Sequence, residues 1–201
     1  MIVVVDYGMG NLGSIVNMIK KIGYKCIVTS NLEEIKNATK LILPGIGSFD
    51  NGMRNLEQLN MLDVLNQKVM VDKTPILGIC LGMQLMTKNS EEGRLAGFGW
   101  IDAETKKFVS DTFKIPHMGW NIIKHQKISK LFDECESEKR FYFVHSYCVR
   151  CTQKNDILTS TNYTQDFVSS FEKENVIGVQ FHPEKSHKFG MSLIKNFLEN
   201  Y

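Results

Sequence analysis

Apolar positions follow two alternating rhythms up to Cys80, and mostly a single rhythm beyond Arg140. The run Ile2-Val3-Val4-Val5 is continuous and β-branched, as suits a strand buried on both faces of a parallel sheet. Beyond GMGNLGS, residues Ile15, Met18, Ile19 and Ile22 recur at helical spacing, and Gly23 closes the helix. KCIVTS predicts a second strand and NLEEIKN a short helix with Asn31 as its N-cap. KLILPGIG predicts a third strand that ends in a glycine turn. Leu56, Leu59, Leu62 and Leu65 mark one further helix, and PILGIC a fourth strand. Strands alternating with helices over short connections imply right-handed crossovers and a parallel sheet covered on both faces.

The second half reads differently. RFYFVHSYCV, DILTSTNY, DFVSSFEKE and NVIGVQFH follow one another with turn residues between them, a pattern of antiparallel pairing. MSLIKNFLEN is a closing amphipathic helix. No repeat, low-complexity segment or long linker interrupts the chain. The expected fold is α/β: a mostly parallel central sheet with helices on both faces plus an antiparallel extension. A chain of 201 residues buries roughly 70% of its unfolded surface, so one domain over residues 1–201 is expected.

Charge narrows the functional classes. A net charge of +2 gives no electrostatic case for nucleic acid or an anionic membrane. The N-terminal apolar run stops at Asp6 with no basic stretch before it, too short for a signal peptide or a membrane span. A cytoplasmic location is expected. Five cysteines (Cys26, Cys80, Cys135, Cys148 and Cys151) suit reduced thiols rather than a disulfide framework. The Cys148–Cys151 pair lacks two further zinc ligands and reads as the tail of a strand.

Cys80 stands apart. It ends the run ILGIC, with Gly78 and Gly82 on either side, and LGMQLMTKN behind it has the composition of a helix. A sharp strand–turn–helix bend lifts a nucleophile to the top of a sheet, and flanking glycines remove the Cβ atoms that would clash there. A helix N-terminus favours thiolate over thiol, and its N–H groups, Leu81's among them, can hold an oxyanion. The competing reading is a small buried hydrophobe. A thiol nucleophile needs a base and a group to orient it. Of the five histidines, His117, His125, His145, His182 and His187, the one in GVQFHPEKSH lies at another strand end. Pro183 is expected to keep a helix from starting, which lets Glu184 double back onto the His182 ring and fix its tautomer. A His182–Glu184–His187 metal trio lacks the helical spacing that aligns such ligands. The zinc-deaminase order of HxE before PCxxC is reversed in this chain.

With Cys80, His182 and Glu184 assembled, GICLGMQ and FHPEKS resemble the class I glutamine amidotransferases. DYGMGNLGS, LPGIGSFDNGM, SEEG, PHMGWN and FYFVHSY are similar to one branch of that family, the glutaminase subunits of imidazole glycerol phosphate synthase in histidine biosynthesis. The resemblance runs the length of the chain. It implies that Cys80 attacks the side-chain amide of L-glutamine, and that His182 gives a proton to the departing ammonia. It implies an oxyanion site at Leu81, Ile46 and Gly47, and glutamine contacts at Gly47, Gln84, Glu92, Ser146 and Tyr147. Glu92 suits the substrate's ammonium group, and the Ser146–Tyr147 N–H groups suit its carboxylate. Glycines on both sides of Ile46 make its peptide cheap to rotate. Its amide is therefore expected to be misaligned at rest and to turn when a partner binds. Ile46 and Ser48 replace the commoner valine and alanine of this segment.

No phosphate loop or second domain is present to use the ammonia, so the acceptor enzyme is expected on another chain. The resemblance implies a (β/α)8 cyclase subunit that forms imidazole glycerol phosphate and AICAR, with Asn11, Trp120, Tyr142 and Lys185 bordering the contact. No cofactor or metal is expected. Three alternatives stay open: the same chemistry supplying a surface-sugar amidotransferase, a catalytically silent assembly subunit, and a thiol hydrolase or redox sensor.

Overall fold

The computed structural model describes residues 1–132 and 138–201, so Cys135 lies outside the described residues. Strands β1 (Ile2–Val5), β2 (Cys26–Thr29), β3 (Lys40–Gly45) and β4 (Ile76–Cys80) pair in parallel in the order β2-β1-β3-β4. The sheet continues through β11 (Val176–Val179), β10 (Asp166–Lys173), β9 (Ile157–Asn162), β6 (His117–His125) and β7 (Lys139–His145). From β11 to β10 and onward the pairing is antiparallel. A side branch, β5 (Ala103–Lys107) on β8 (Tyr147–Cys151), joins at β10.

Period-2 alternation divides the parallel strands between two cores. Val3, Val5, Leu41 and Leu43 face one, with α2 (Leu32–Lys36), α3 (Phe49–Gln58) and α4 (Met61–Asn66) packed over them. Val4, Ile42, Leu77 and Ile79 face the other, beneath α1 (Leu12–Lys21) and α6 (His187–Asn200). Asn31 caps α2 as expected, its Oδ1 accepting from Glu33 N at 2.8 Å.

Four expectations need correction. The leucine series from Leu56 to Leu65 spans two helices, because Asn60 turns left-handed at φ +54° between them. The run RFYFVHSYCV breaks at Ser146 into β7 and β8, which take different partners. NVIGVQFH is not purely antiparallel: β11 lies parallel to β4 on one side and antiparallel to β10 on the other. All four of its residues are buried, as are all five of β4 beside it. Pro183 does not prevent a helical turn; it opens the 3-10 turn Pro183–Lys185. A proline at the first helical position loses only an N–H that would have had no partner.

The helix after Cys80, α5 (Leu81–Leu85), is shorter than its sequence suggests. Phe98 N donates to Leu85 O at 2.8 Å, Gly99 N to Thr87 O and Ile101 N to Met86 O, so a loop captures the carbonyls that would extend it. Among the described residues, no helix is long and apolar enough to cross a membrane.

The bend at Cys80 is hemmed in by backbone. A Cβ on Gly82 would lie 1.8 Å from Leu43 O, and one on Gly78 would lie 2.8 Å from Met83 N. Gly82→Ala is expected to cost about 2–3 kcal/mol through overpacking, a fall in Tm of roughly 4–12 °C for a chain of this size. A thermal melt unchanged from the wild type would contradict this packing.

Candidate active site

Cys80 sits where β4 becomes α5, at φ +54° and ψ −108°, a strained conformation for a residue with a side chain. It opens onto a cavity of about 270 Å³. Ile46, Gly47, Leu81, Gln84, Glu92, Ser146, Tyr147 and His182 line that cavity together with Cys80. Every residue expected at the nucleophile, the oxyanion site and the glutamine pocket therefore borders one space. Pro116, Val144 and His145 also line it and were not expected there.

Glu184 stands behind the cavity. Its carboxylate and the His182 ring are both almost fully buried, and Nδ1 of His182 donates to Glu184 Oε1 at 2.7 Å. That bond fixes which ring nitrogen faces away from the acid. Among the described residues Nε2 has no hydrogen-bond partner; it is buried, with the Cys80 sulfur as its neighbour. The carrying turn is held by Ser186, whose Oγ accepts from Tyr142 N at 3.0 Å and donates to His182 O at 2.6 Å.

Two polar side chains not anticipated from sequence lie buried behind the residues that line the cavity. Gln180 is fully buried, and its Nε2 donates to Cys80 Sγ at 3.7 Å while its Oε1 accepts from Gln84 Nε2 at 3.1 Å. A lone polar residue inside the apolar run VIGVQF was the available signal. Tyr7, also fully buried, donates to Pro44 O at 2.6 Å and so steadies the end of β3 before Ile46 and Gly47. Glu92 does more than border the pocket, since its Oε2 accepts from Phe49 N at 2.8 Å at the start of α3. Burial raises its pKa.

Of the four residues expected at a partner contact, three cluster. Lys185 Nζ lies 5.7 Å from the Tyr142 ring centre, and Trp120 meets Tyr142 edge-on at 6.2 Å. Trp120 is 45% exposed, with Met118 and Ile122 exposed beside it on β6. Asn11 stands apart in sequence at the start of α1, whose helix packs against the Pro183–Lys185 turn.

The sequence model of the class I glutamine amidotransferases matches residues 3–201. The chain belongs to the class I glutamine amidotransferase family. It is 59% identical over 200 residues to imidazole glycerol phosphate synthase subunit HisH 2 of Methanococcus maripaludis, covering 99% of each chain. It is 48% identical over 200 residues to the HisH 2 subunit of Pseudomonas aeruginosa, again covering 99% of each. Among solved structures, a glutamine amidotransferase aligns with a TM-score of 0.74 at 16% identity, covering 98% of this chain and 97% of that one. At that identity the likeness concerns the fold.

The electrostatics of the cavity centre on His182. Burial alone would lower its pKa, but the neighbouring Cys80 sulfur and the Glu184 carboxylate outweigh burial and push it up to about 10. The other buried histidines go the opposite way. Burial takes His145 down to about 3 and His117 down to about 4, so this hydrogen-bonded pair (Nδ1 of His117 to Nε2 of His145, 3.0 Å) is neutral at pH 7. Burial also pushes Cys148 up to about 11 and Cys151 up to about 12, which keeps the CxxC thiols protonated.

A folded-state pKa above the unfolded value of about 6.5 has a defined sign. The His182 interaction stabilises fully below pH 6.5 and is lost as pH rises through about 10. In a histidine NMR titration, the wild-type His182 ring is expected to remain imidazolium at pH 8. Cys80→Ser, which removes the sulfur, is expected to shift the titration to lower pH. A wild-type ring already neutral at pH 8 would contradict this electrostatic reading.

Proposed function

We propose that this chain is the glutaminase subunit of an imidazole glycerol phosphate synthase, a single catalytic domain that hydrolyses L-glutamine to glutamate and ammonia. The observation that carries the reading is the meeting of Cys80 and His182, backed by Glu184, at one small cavity bordered by every expected pocket residue.

The chemistry follows from the positions. The Cys80 sulfur attacks the side-chain amide carbon of glutamine. The carbonyl oxygen becomes an oxyanion, received by the Leu81 N–H at the start of α5 and by the Ile46–Gly47 segment. His182 transfers a proton from Nε2 to the amide nitrogen, ammonia leaves, and a glutamyl thioester remains on Cys80. Water, deprotonated by the same ring, attacks the thioester; the C–S bond breaks and glutamate departs, which returns the free Cys80 sulfur and the protonated His182 ring. Glu184 holds the ring and stabilises its cationic form. Glu92 receives the substrate ammonium, while Gln84 and the Ser146–Tyr147 backbone position the rest.

Ammonia released into water is protonated and lost, so the reaction is useful only beside an acceptor. The acceptor is a cyclase subunit with a (β/α)8 barrel, in the cytoplasm, docked on the face formed by Trp120, Tyr142 and Lys185 and reaching Asn11. A second reading keeps the chemistry and changes the acceptor to a surface-sugar amidotransferase.

Two experiments test these assignments. Cys80→Ala is expected to abolish glutamine-dependent synthesis by the complex while synthesis from added ammonium salts persists. Loss of both would place Cys80 in folding or assembly instead. Binding of the cyclase is expected to raise glutamine hydrolysis by about 100-fold, the worth of one oxyanion donor turned into place at Ile46. Equal rates with and without the partner would remove that role for Ile46.

A further inference from the structure

The mechanism above leaves Gln180 unused, although it is fully buried and touches the reacting sulfur. The direction of its amide is set by a chain of hydrogen bonds with only one consistent assignment. The chain starts at the backbone carbonyl of Tyr147, which can only accept. That carbonyl takes one bond from His145 Nδ1 at 2.7 Å and another from Gln84 Nε2 at 3.3 Å. The Gln84 amide nitrogen must therefore face Tyr147, and its second N–H points to Gln180 at 3.1 Å. Gln180 accepts there with Oε1, which leaves its amide nitrogen 3.7 Å from Cys80 Sγ. A flipped Gln180 would set its own N–H groups against those of Gln84, and would turn an oxygen lone pair toward the sulfur.

We infer that Gln180 is a catalytic residue of this site, donating a side-chain N–H to the Cys80 sulfur and holding it in its anionic, attack-ready form. The position suits the task. Gln180 follows β11 directly and His182 lies two residues on, so the sulfur meets an N–H donor and an imidazole from one short segment. The donor is buried and water-excluded, where a hydrogen bond to an anion is strongest. Gln84 then has a second duty besides facing the cavity, because its amide orients Gln180. The inference rests on Cys80 being the nucleophile of the proposed glutaminase, but the donor's effect is readable without glutamine.

The test is the alkylation rate of Cys80 by iodoacetamide in the full chain, followed by mass spectrometry of the Cys80 peptide. Gln180→Leu keeps the bulk and removes the donor. The other titratable groups facing the sulfur, His182 beyond β11 and Tyr7 beyond β1, are left in place. At pH 7 the variant is expected to react about tenfold more slowly, the low end of what one hydrogen bond to a charged group supplies. At pH 10, where an ordinary thiol is ionised without help, the two rates are expected to converge. Equal rates at pH 7, or the same slowing at both pH values, would overturn the inference; the second would mark a packing effect. Should the variant not fold, the wild type supplies the answer: alkylating Cys80 is expected to shift the Gln180 side-chain amide signals in a 15N spectrum. Unmoved signals would overturn it. A wild type that alkylates as described yet does not hydrolyse glutamine, with or without a cyclase, would sink the glutaminase reading and leave Gln180's role standing.

Discussion

The site depends on one turn: the chain must pass from strand to helix at Cys80 with a positive φ. Such a backbone costs of order 1–3 kcal/mol and persists only where its surroundings leave no alternative. Here the surroundings are the two neighbouring strands. Cys80 pairs in register with Gly45 of β3, and Val179 of β11 pairs with Ile79 just before it. Three adjacent strand ends therefore deliver the Ile46–Gly47 segment, the sulfur, and Gln180 with His182 to one place. Ligand sites of open parallel sheets form beyond the carboxyl ends of their strands. In this chain the rule brings Cys80, Gln180 and His182 to one place.

The turn that carries Glu184 is tied mechanically to the exposed face beside it. His182 N donates to Tyr142 O at 2.9 Å, and Ser186 Oγ bridges Tyr142 N and His182 O. Lys185, next in sequence after Glu184, lies over the Tyr142 ring. His182, Glu184 behind it and the aromatic face thus share a few backbone hydrogen bonds. A rigid body seated on Trp120 and Tyr142 would press on the same bonds that aim the His182 ring.

Much of this was legible in the sequence, for physical reasons that can be named. Apolar runs that stop on Cys80 and on His182 mark strand ends, and the glycines around the cysteine mark a bend that a Cβ would block. Most of the parallel half was readable because β1, β3 and β4, buried on both faces, leave nearly continuous apolar runs. Elsewhere the signal was weaker. β5 reads AETKK, with alternate residues buried and three charges among five, and β6 shows its apolar residues Met118, Trp120 and Ile122 to solvent. Neither gives the pattern of a core strand. The break at Asn60 was hidden by leucines that keep helical spacing across it. Gln180 and Tyr7 were missed because their importance comes from partners 100 and 37 residues away, Cys80 and Pro44, which no local pattern reveals.

The central claim is that one sulfur carries the acyl group. Rapid acid quenching of the subunit during turnover of glutamine with its cyclase partner, followed by mass spectrometry of the cysteine peptides, tests it most directly. The account predicts a glutamyl adduct on the Cys80 peptide that disappears when glutamine is exhausted. Turnover with no adduct on any cysteine, or with the adduct on a different one, would contradict it.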